Sequence, residues 1–273
     1  MSEQNQVTEL LNKCNLNWKV KSEKVQTVSG GIIIEGQRAL VREDNSAVLS
    51  VVSDNYYPYQ NEELMELLHR VSNKTGLDVH KGGSFRDGAR TFIQLKSNDL
   101  KLGNDRIEGF LTGINSFDGS TSLAFGPSNI REIGTKIRHT KNMIVRIDEV
   151  CARLEGAVEE EKEIFSNIVK LSETRFDDII KDRVVKSLFN ISSGVDLRDE
   201  KAVSGVTRNK MSRFYIDLNG ELQGKGDNMW GLFSGVTKYT THSLTKNDNT
   251  EVKMFGKVGV TEQSIFNKLV ELV

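Results

Sequence analysis

Cysteine, large aromatic side chains and long apolar runs are all scarce in this sequence of 273 residues. The two cysteines, Cys14 and Cys151, each fall on the apolar stripe of a predicted helix, which favours buried reduced thiols over the alternative of a disulfide. Aromatic residues make up 7% of the chain, which excludes a core dominated by large rings. No apolar run approaches the ~18 residues that a membrane-spanning helix needs.

The first six residues are polar and lack the charged and then apolar pattern of a signal peptide. Together with the absence of long apolar runs, this predicts a protein that has no membrane contact and stays in the cytoplasm where it is made. Hydrophobic residues make up 37% of the chain, which is enough for a packed core and argues against global disorder.

Net charge is also nearly absent, with a formal value of −1. This excludes a uniformly basic domain that coats DNA on all sides. Any surface that binds nucleic acid must therefore be a local basic patch that acidic residues balance elsewhere. One such acidic segment runs from Glu155 to Glu163 and contains five glutamates against a single lysine.

Motifs for catalysis and cofactor binding are missing. None of the four histidines lies at metal-ligand spacing from another, and neither cysteine pairs with one. There is no phosphate-binding loop and no dinucleotide fingerprint. Asp78, Asp87 and Asp118 could hold Mg²⁺ together, but Asp87 and Asp118 each precede a glycine, where hairpin geometry already explains them. We therefore predict no cofactor, no metal and no enzymatic activity; an enzyme with an unrecognised carboxylate site is the third hypothesis.

The first half of the chain predicts an antiparallel sheet built from hairpins. Asp87-Gly88 and Asp118-Gly119 each separate two alternating segments, which is a strong hairpin signal. The β-branched triplet Ile32–Ile34 predicts a strand, and a helix is inserted between a predicted N-cap at Asn61 and a stop at Gly76. An amphipathic helix with Val7, Leu10, Leu11 and Cys14 opens the chain.

The second half predicts mostly helix, from Ile130 to Phe189, near 228–241, and after a predicted N-cap at Thr261. Apolar residues from Met143 to Leu171 alternate spacings of four and three, interrupted at Glu161. Packing in an internal helical hairpin and assembly into a homo-oligomer both explain this seam. The fold class is therefore α+β, with a sheet and inserted helix over 1–129 and a helical region over 130–273; one continuous domain is the alternative to two.

Basic residues concentrate in the segment from Ile130 to Arg146, where Glu132 is the only acid. Cations in series suit phosphate binding, because neutralised phosphates release condensed counterions. A solvated helix face is the alternative. The candidate phosphate contacts in this segment are Arg131, Lys136, Arg138 and Lys141.

Two other groups of residues extend this hypothesis. Arg208, Lys210 and Arg213 lie beside Phe214 and Tyr215, and cations beside rings are typical of single-strand binding, where bases stack on aromatic side chains. The alternative is that such rings pack in the core or against Pro58. Further candidate contacts are Lys81, Arg86 and Arg90, and further stacking candidates are Tyr56, Tyr57 and Tyr59.

Several segments, in order along the chain, resemble a phage and plasmid family known as domain of unknown function 932. They are 56–63, 83–88 with 91–93, 115–120 with 138–140, and 228–233 with 236–239 and His242. One family segment, an Arg-rich strand followed by a Cys-x-Asn-Thr-like stretch, has no counterpart near Asn129. Any role of that segment therefore does not transfer to this chain.

The resemblance implies an accessory protein of phage or plasmid origin, acting in the host cytoplasm. Hairpins followed by helices also look like the architecture of phage single-strand annealing recombinases, although fold alone does not fix function. The leading hypothesis is a homo-oligomeric protein that binds single-stranded DNA for annealing, recombination or replication. The alternative is a structural or host-interaction protein, as a virion or accessory component, without nucleic-acid binding.

Overall fold

The computed structural model describes residues 3–103, 105–127, 135–137, 147–199, 201–244, 251 and 256–273, with side chains described outside 135–137, 147–155 and 157–158. The strands are β1 Val20–Gln26, β2 Ile33–Arg42, β3 Val48–Ser53, β4 Val79–Phe85, β5 Arg90–Leu102, β6 Asp105–Ser116, β7 Leu123–Pro127 and β8 Thr135–Ile137. The helices are α1 Glu3–Lys13, α2 Asn61–Thr75, α3 Ile147–Glu173, α4 Asp178–Phe189, α5 Gly205–Lys225, α6 Met229–Lys238 and α7 Lys257–Val270.

The predicted α+β class is confirmed. The strands form two sheets, one in the order β1-β2-β3 and one in the order β4-β5-β6-β7-β8, with antiparallel pairing in the registers that are described. The chain divides into two compact units. The first comprises Met1–Asp99 and Glu108–Glu161, and the second comprises Leu100–Ile107 and Lys162–Val273. The start of α3 therefore groups with the sheets.

Both predicted hairpin turns are confirmed. Asp118 Oδ1 accepts a hydrogen bond from the Ser120 N–H at 2.9 Å, which is the local turn geometry expected of aspartate. Arg86 and Asp87 have φ values of 52° and 56° at the other turn. Turn geometry therefore accounts for both aspartates, as the sequence indicated.

The start of α2 lies one residue earlier than predicted, because Gln60 and not Asn61 is the N-cap. The Glu63 carboxylate accepts from the Gln60 N–H at 2.6 Å, as in a capping box. The Gln60 side chain instead binds the main chain of Val20, accepting from its N–H and donating to its C=O, both at 3.0 Å. The buried Asn61 side chain donates to the Leu16 carbonyl at 3.2 Å.

The core of the first unit lies around α1, α2 and the sheets. Val7, Leu11 and Cys14 of the opening segment are buried in it, as their spacing predicts. Burial raises the pKa of the Cys14 thiol, which is free and not part of a disulfide. The largest fully buried members of the core are Leu16, Leu40, Leu64, Met65, Leu67, Leu68, Ile93, Leu95, Leu111, Phe117 and Phe125.

The second half is helical, as predicted, but two local predictions there were wrong. Residues 135–137 form strand β8 and not helix, since their main chain pairs with β7. Helix α5 lies in the predicted helical region, although its bounds were not predicted. The last helix begins at Lys257, four residues before the predicted cap at Thr261.

The helical seam is internal where its side chains are described. Ile164, Ile168 and Leu171 are buried, the last two at 1% and 0% exposure. This part of the seam therefore packs inside the chain and is not a surface for assembly. The seam side chains from Met143 to Ala157 lie outside the described residues.

Over the described ranges, no helix combines the length and apolar character needed to cross a membrane.

Glu161, which interrupts the seam, is buried at 2% exposure. One of its oxygens accepts from the Ser97 hydroxyl, and the other, Oε1, has no hydrogen-bond partner. Burial, opposed by the hydrogen bond from Ser97, raises the pKa of the Glu161 carboxyl above its ordinary value. The folded protein therefore holds a proton on Glu161 at a pH where the unfolded chain releases it.

We expect Glu161→Gln to stabilise the protein at neutral pH. An acid whose pKa is raised by folding makes stability fall as the pH rises from its ordinary pKa to the raised one. The amide stays neutral and can still accept from Ser97. The measurement is urea unfolding over a series of pH values for both proteins. Stability curves that remain parallel through the mildly acidic range would contradict the assignment.

Candidate nucleic-acid interface

The strongest basic stretch of the sequence is largely outside the described residues. Arg131, Arg138 and Lys141 all fall there. For Lys136 only the main chain is described, and it pairs with Ala124 in the register of β7 and β8. A solvated helix face, the alternative interpretation of this stretch, is therefore wrong at Lys136.

The three predicted cations of the first unit differ in their surroundings. Lys81 on β4 and Arg86 in the following turn are exposed. Arg90 is not, since 13% of its side chain is exposed. Its Nε donates to Asp118 Oδ2 at 3.3 Å and to Ser120 Oγ at 2.9 Å. Arg90 therefore ties one hairpin turn to its neighbouring strand, which leaves it poorly placed to contact a phosphate.

The three tyrosines proposed as a stacking platform pack within the first unit. The Tyr56 hydroxyl donates to the Ser116 carbonyl at 2.7 Å, and burial raises the Tyr56 pKa to about 12. The Tyr57 hydroxyl donates to Glu63 Oε1 at 2.8 Å. Tyr59 is buried at 5% exposure. The packing alternative therefore describes these rings, and we correct their assignment as stacking residues.

Two of the segments that carry the family resemblance bind one another. The Asn115 side chain donates to the Tyr59 carbonyl at 2.7 Å, beside the bond from Tyr56 to Ser116. Asn115 and Ser116 are fully buried. Both contacts satisfy main-chain carbonyls in the interior, where an unpaired polar group is costly. These motif residues therefore explain how the first unit folds.

Helix α5 carries the second basic cluster, and Arg208, Lys210 and Arg213 are all exposed on it. Its buried stripe consists of Met211, Phe214 and Leu218. With about 100° between successive residues, Lys210 and Arg213 lie on one flank of that stripe and Arg208 lies on the other. The helix therefore brings two of the three predicted cations together and separates the third.

The rings beside these cations in the sequence are not the rings beside them in space. Phe214 is buried at 0% exposure, with its ring centroid 6.1 Å from that of Phe189 and 6.0 Å from that of Tyr239. Tyr215 is half-buried. Phe214 therefore belongs to the core of the second unit, which corrects its assignment as a stacking residue.

Next to Lys210 lies a depression of about 200 Å³, which we call the aromatic depression. Phe189, half-buried at the end of α4, and Tyr239 supply its rings. Burial raises the pKa of the Tyr239 hydroxyl; the positive charge of Arg213 opposes that shift, and the negative charge of Asp217 adds to it. The residues that line the aromatic depression are Leu188, Phe189, Asn190, Thr207, Lys210, Tyr239 and Leu244.

Phe189 was missed because it lies at the end of α4, far along the sequence from the cations of α5. The signal that could have found it is the stripe of Met211, Phe214 and Leu218, spaced by three and four, which predicts a helix. Once that helix is placed, Phe214 faces inward and the cations need another aromatic partner.

Over the described residues, no group of three histidine, cysteine or acidic side chains is placed to hold a metal ion.

A family model described as "Domain of unknown function (DUF932)" matches residues 48–258, so the chain belongs to that family. The matched range includes β4–β8 and α2–α6, and therefore both the buried motif contacts and the aromatic depression. No curated protein and no solved structure matches the chain.

Proposed function

We propose that this protein binds single-stranded DNA, with the aromatic depression and the adjoining flank of α5 as its contact surface. One observation carries the proposal: Lys210 lines a depression whose rings come from Phe189 and Tyr239. The positive charge of Arg213 also acts on the Tyr239 hydroxyl. Binding of single strands without sequence preference uses this combination, since cations follow the phosphates while bases stack on rings.

The local charge supports phosphate binding at this surface. From Gly205 to Ile216 the helix contains three cations and no acid. Lys210 and Arg213 both lie within this acid-free segment of the helix. The net charge of −1 therefore does not prevent a locally positive surface.

An accessible ring favours single strands over duplexes. Bases in a duplex are stacked on their neighbours, whereas unpaired bases can be splayed out onto a side chain. Of the two rings, Phe189 is half-buried and Tyr239 is buried at 2% exposure. In this proposal Phe189 contacts the base, and Tyr239 holds Phe189 in place with its centroid 5.5 Å away.

A role in phage or plasmid recombination, replication or annealing belongs to the same proposal. Annealing requires no covalent chemistry, only a surface that holds one strand while its bases stay able to pair. Assembly into a homo-oligomer would repeat the aromatic depression along a strand.

We expect the double substitution Lys210→Ala with Arg213→Ala to lower the slope of log affinity against log salt by roughly 1.4, from about 0.7 for each phosphate contact on a single strand. The measurement is fluorescence anisotropy of a labelled oligothymidine across a salt series, with the matching duplex as comparison. Lys170→Ala, which removes an exposed lysine on α3, is the matched control and should leave the slope unchanged.

Phe189→Leu separates stacking from charge in the same assay. Loss of one stacked base should weaken binding by about 1–3 kcal/mol, with the salt slope unaltered. The proposal fails if the parent protein shows no salt-dependent binding to the oligothymidine. It also fails if the double variant binds like the parent at every salt concentration while remaining folded.

A further inference from the structure

A second and larger concavity of the second unit lies between α4 and α7. This groove, which we call the α4–α7 groove, has a volume of about 890 Å³. It is lined by Ile179, Asp182, Arg183, Lys186, Ser187, Asn190, Ile191, Ser193, Val260, Thr261, Ser264, Ile265 and Lys268. A smaller concavity lined by both helices extends it toward Leu272.

Large aliphatic side chains are exposed along this groove. Ile179 on α4 and Val260 on α7 are each 62% exposed, and Leu272 in the adjoining concavity is 46% exposed. A partner that covered these side chains would remove further apolar surface from water, which is favourable. Contiguous exposed apolar surface with a polar rim is typical of sites that bind another protein.

The polar rim of the groove is mainly cationic. Among the described residues, Arg183, Lys186 and Lys268 line the groove with one carboxylate, that of Asp182, and Glu271 lines the adjoining concavity. The Lys186 ammonium donates to the Ser193 carbonyl at 2.7 Å, and that of Lys268 donates to the Ser187 hydroxyl at 3.1 Å. Both lysines are thus held over the groove by neutral partners, with their positive charge uncompensated by those bonds.

We propose that the α4–α7 groove docks an acidic amphipathic helix of a partner protein. Such a helix would bury its apolar face against Ile179 and Val260, and its carboxylates would meet the cationic rim, as in recognition of helices by grooves elsewhere. The positive charge of the rim favours an acidic ligand over a basic one. The exposed aliphatic residues favour a helix with an apolar face over a small free anion.

The lining distinguishes this groove from the aromatic depression. Among the described residues, no aromatic ring lines the groove, whereas single-strand binding relies on rings that stack with bases. Asn190 is the one described residue that lines both concavities. DNA and a helical partner can therefore be separated by substitutions that touch one site and leave the other intact.

The test uses the full chain and three labelled peptides of about 14 residues, each with leucines at i, i+3, i+4 and i+7 on one helix face. One peptide carries glutamates on its other face, one carries lysines there, and one is the scrambled acidic sequence. Binding is followed by fluorescence anisotropy. We expect the acidic amphipathic peptide to bind, and to bind at least ten times more tightly than the other two.

Val260→Asp and Ile179→Asp should each weaken that binding at least tenfold, whereas Ile216→Asp, at an exposed aliphatic residue on α5 outside the groove, should leave it unchanged. Lys268→Glu should weaken binding of the acidic peptide and strengthen that of the basic one.

The proposal is overturned if the acidic peptide does not bind at millimolar concentration, or if the groove variants bind it like the parent. Oligothymidine binding should be unaffected by Val260→Asp, so that failure of one proposal is distinguishable from failure of the other.

Discussion

Replacing Gly109 by alanine should lower the free energy of unfolding by about 3 kcal/mol, the upper end of the cost of overpacking an interior site. A Cβ at this position of β6 would overlap the main-chain oxygen of Asn98 and Glu161 Oε1. The Asn98 oxygen belongs to the backbone of β5 and cannot swing away as a side-chain end could. Either the strands or α3 must shift to admit one methyl group.

Gly156→Ala is the matched control for this prediction. Gly156 lies in α3, and nothing is within 4 Å of an added Cβ there. Alanine in a helix interior is favoured over glycine by about 1 kcal/mol, so the control should gain stability. Equilibrium urea unfolding of both variants measures the two changes. A Gly109→Ala protein as stable as the parent would mean that β6 is not held against Asn98 and Glu161.

The two hairpin turns could be predicted because their information is local. Asp118 and Gly119 encode their turn within four residues, and the structure adds only the Arg90 contact from the neighbouring strand. The same holds for the end of α2, where Gly76 has a φ of 74° that favours glycine. Short-range chemistry of this kind is visible in a single sequence.

Long-range polar contacts could not be predicted, and one of them explains the misplaced start of α2. Asn61 is a better N-cap than Gln60 by local preference, but Gln60 also binds the main chain of Val20, 40 residues earlier. Glu161 interrupts the apolar seam in the sequence, and its burial depends on Ser97 and on the missing side chain of Gly109. Nothing in the sequence identifies Val20 as the partner of Gln60 or Ser97 as the partner of Glu161.

The candidate site divides in the same way. Lys210 and Arg213 were found from composition alone, since a run of cations without acid can be seen in the sequence. Their aromatic partners were not, because helix geometry turns Phe214 inward and tertiary packing places Phe189 beside them. Proximity in the sequence therefore predicted the cations of this surface but gave Phe214 in place of Phe189 as the ring beside them.

The corrected role of Phe214 leads to a second large effect. Phe214→Ala should cost about 3–5 kcal/mol of stability, because a fully buried ring is removed and its neighbours relax only in part to fill the cavity. Its ring contacts Phe189 and Tyr239, so the cavity opens beneath the aromatic depression. Thermal and urea unfolding measure the loss.

Ile216→Ala, two residues along the same helix, provides the comparison. Ile216 is 72% exposed, and a surface substitution there should change stability by no more than about 0.5 kcal/mol. If Phe214 were instead a surface ring that stacks on bases, Phe214→Ala would leave stability nearly unchanged and weaken oligothymidine binding with an unaltered salt slope. If Phe214 belongs to the core, Phe214→Ala should lower the midpoint of unfolding. Binding of oligothymidine should then decrease only to the extent that the folded population decreases. Stability and binding, the latter measured at a temperature where the variant remains folded, therefore decide between the two roles. Equal stability of the Phe214 and Ile216 variants would contradict the core role of Phe214.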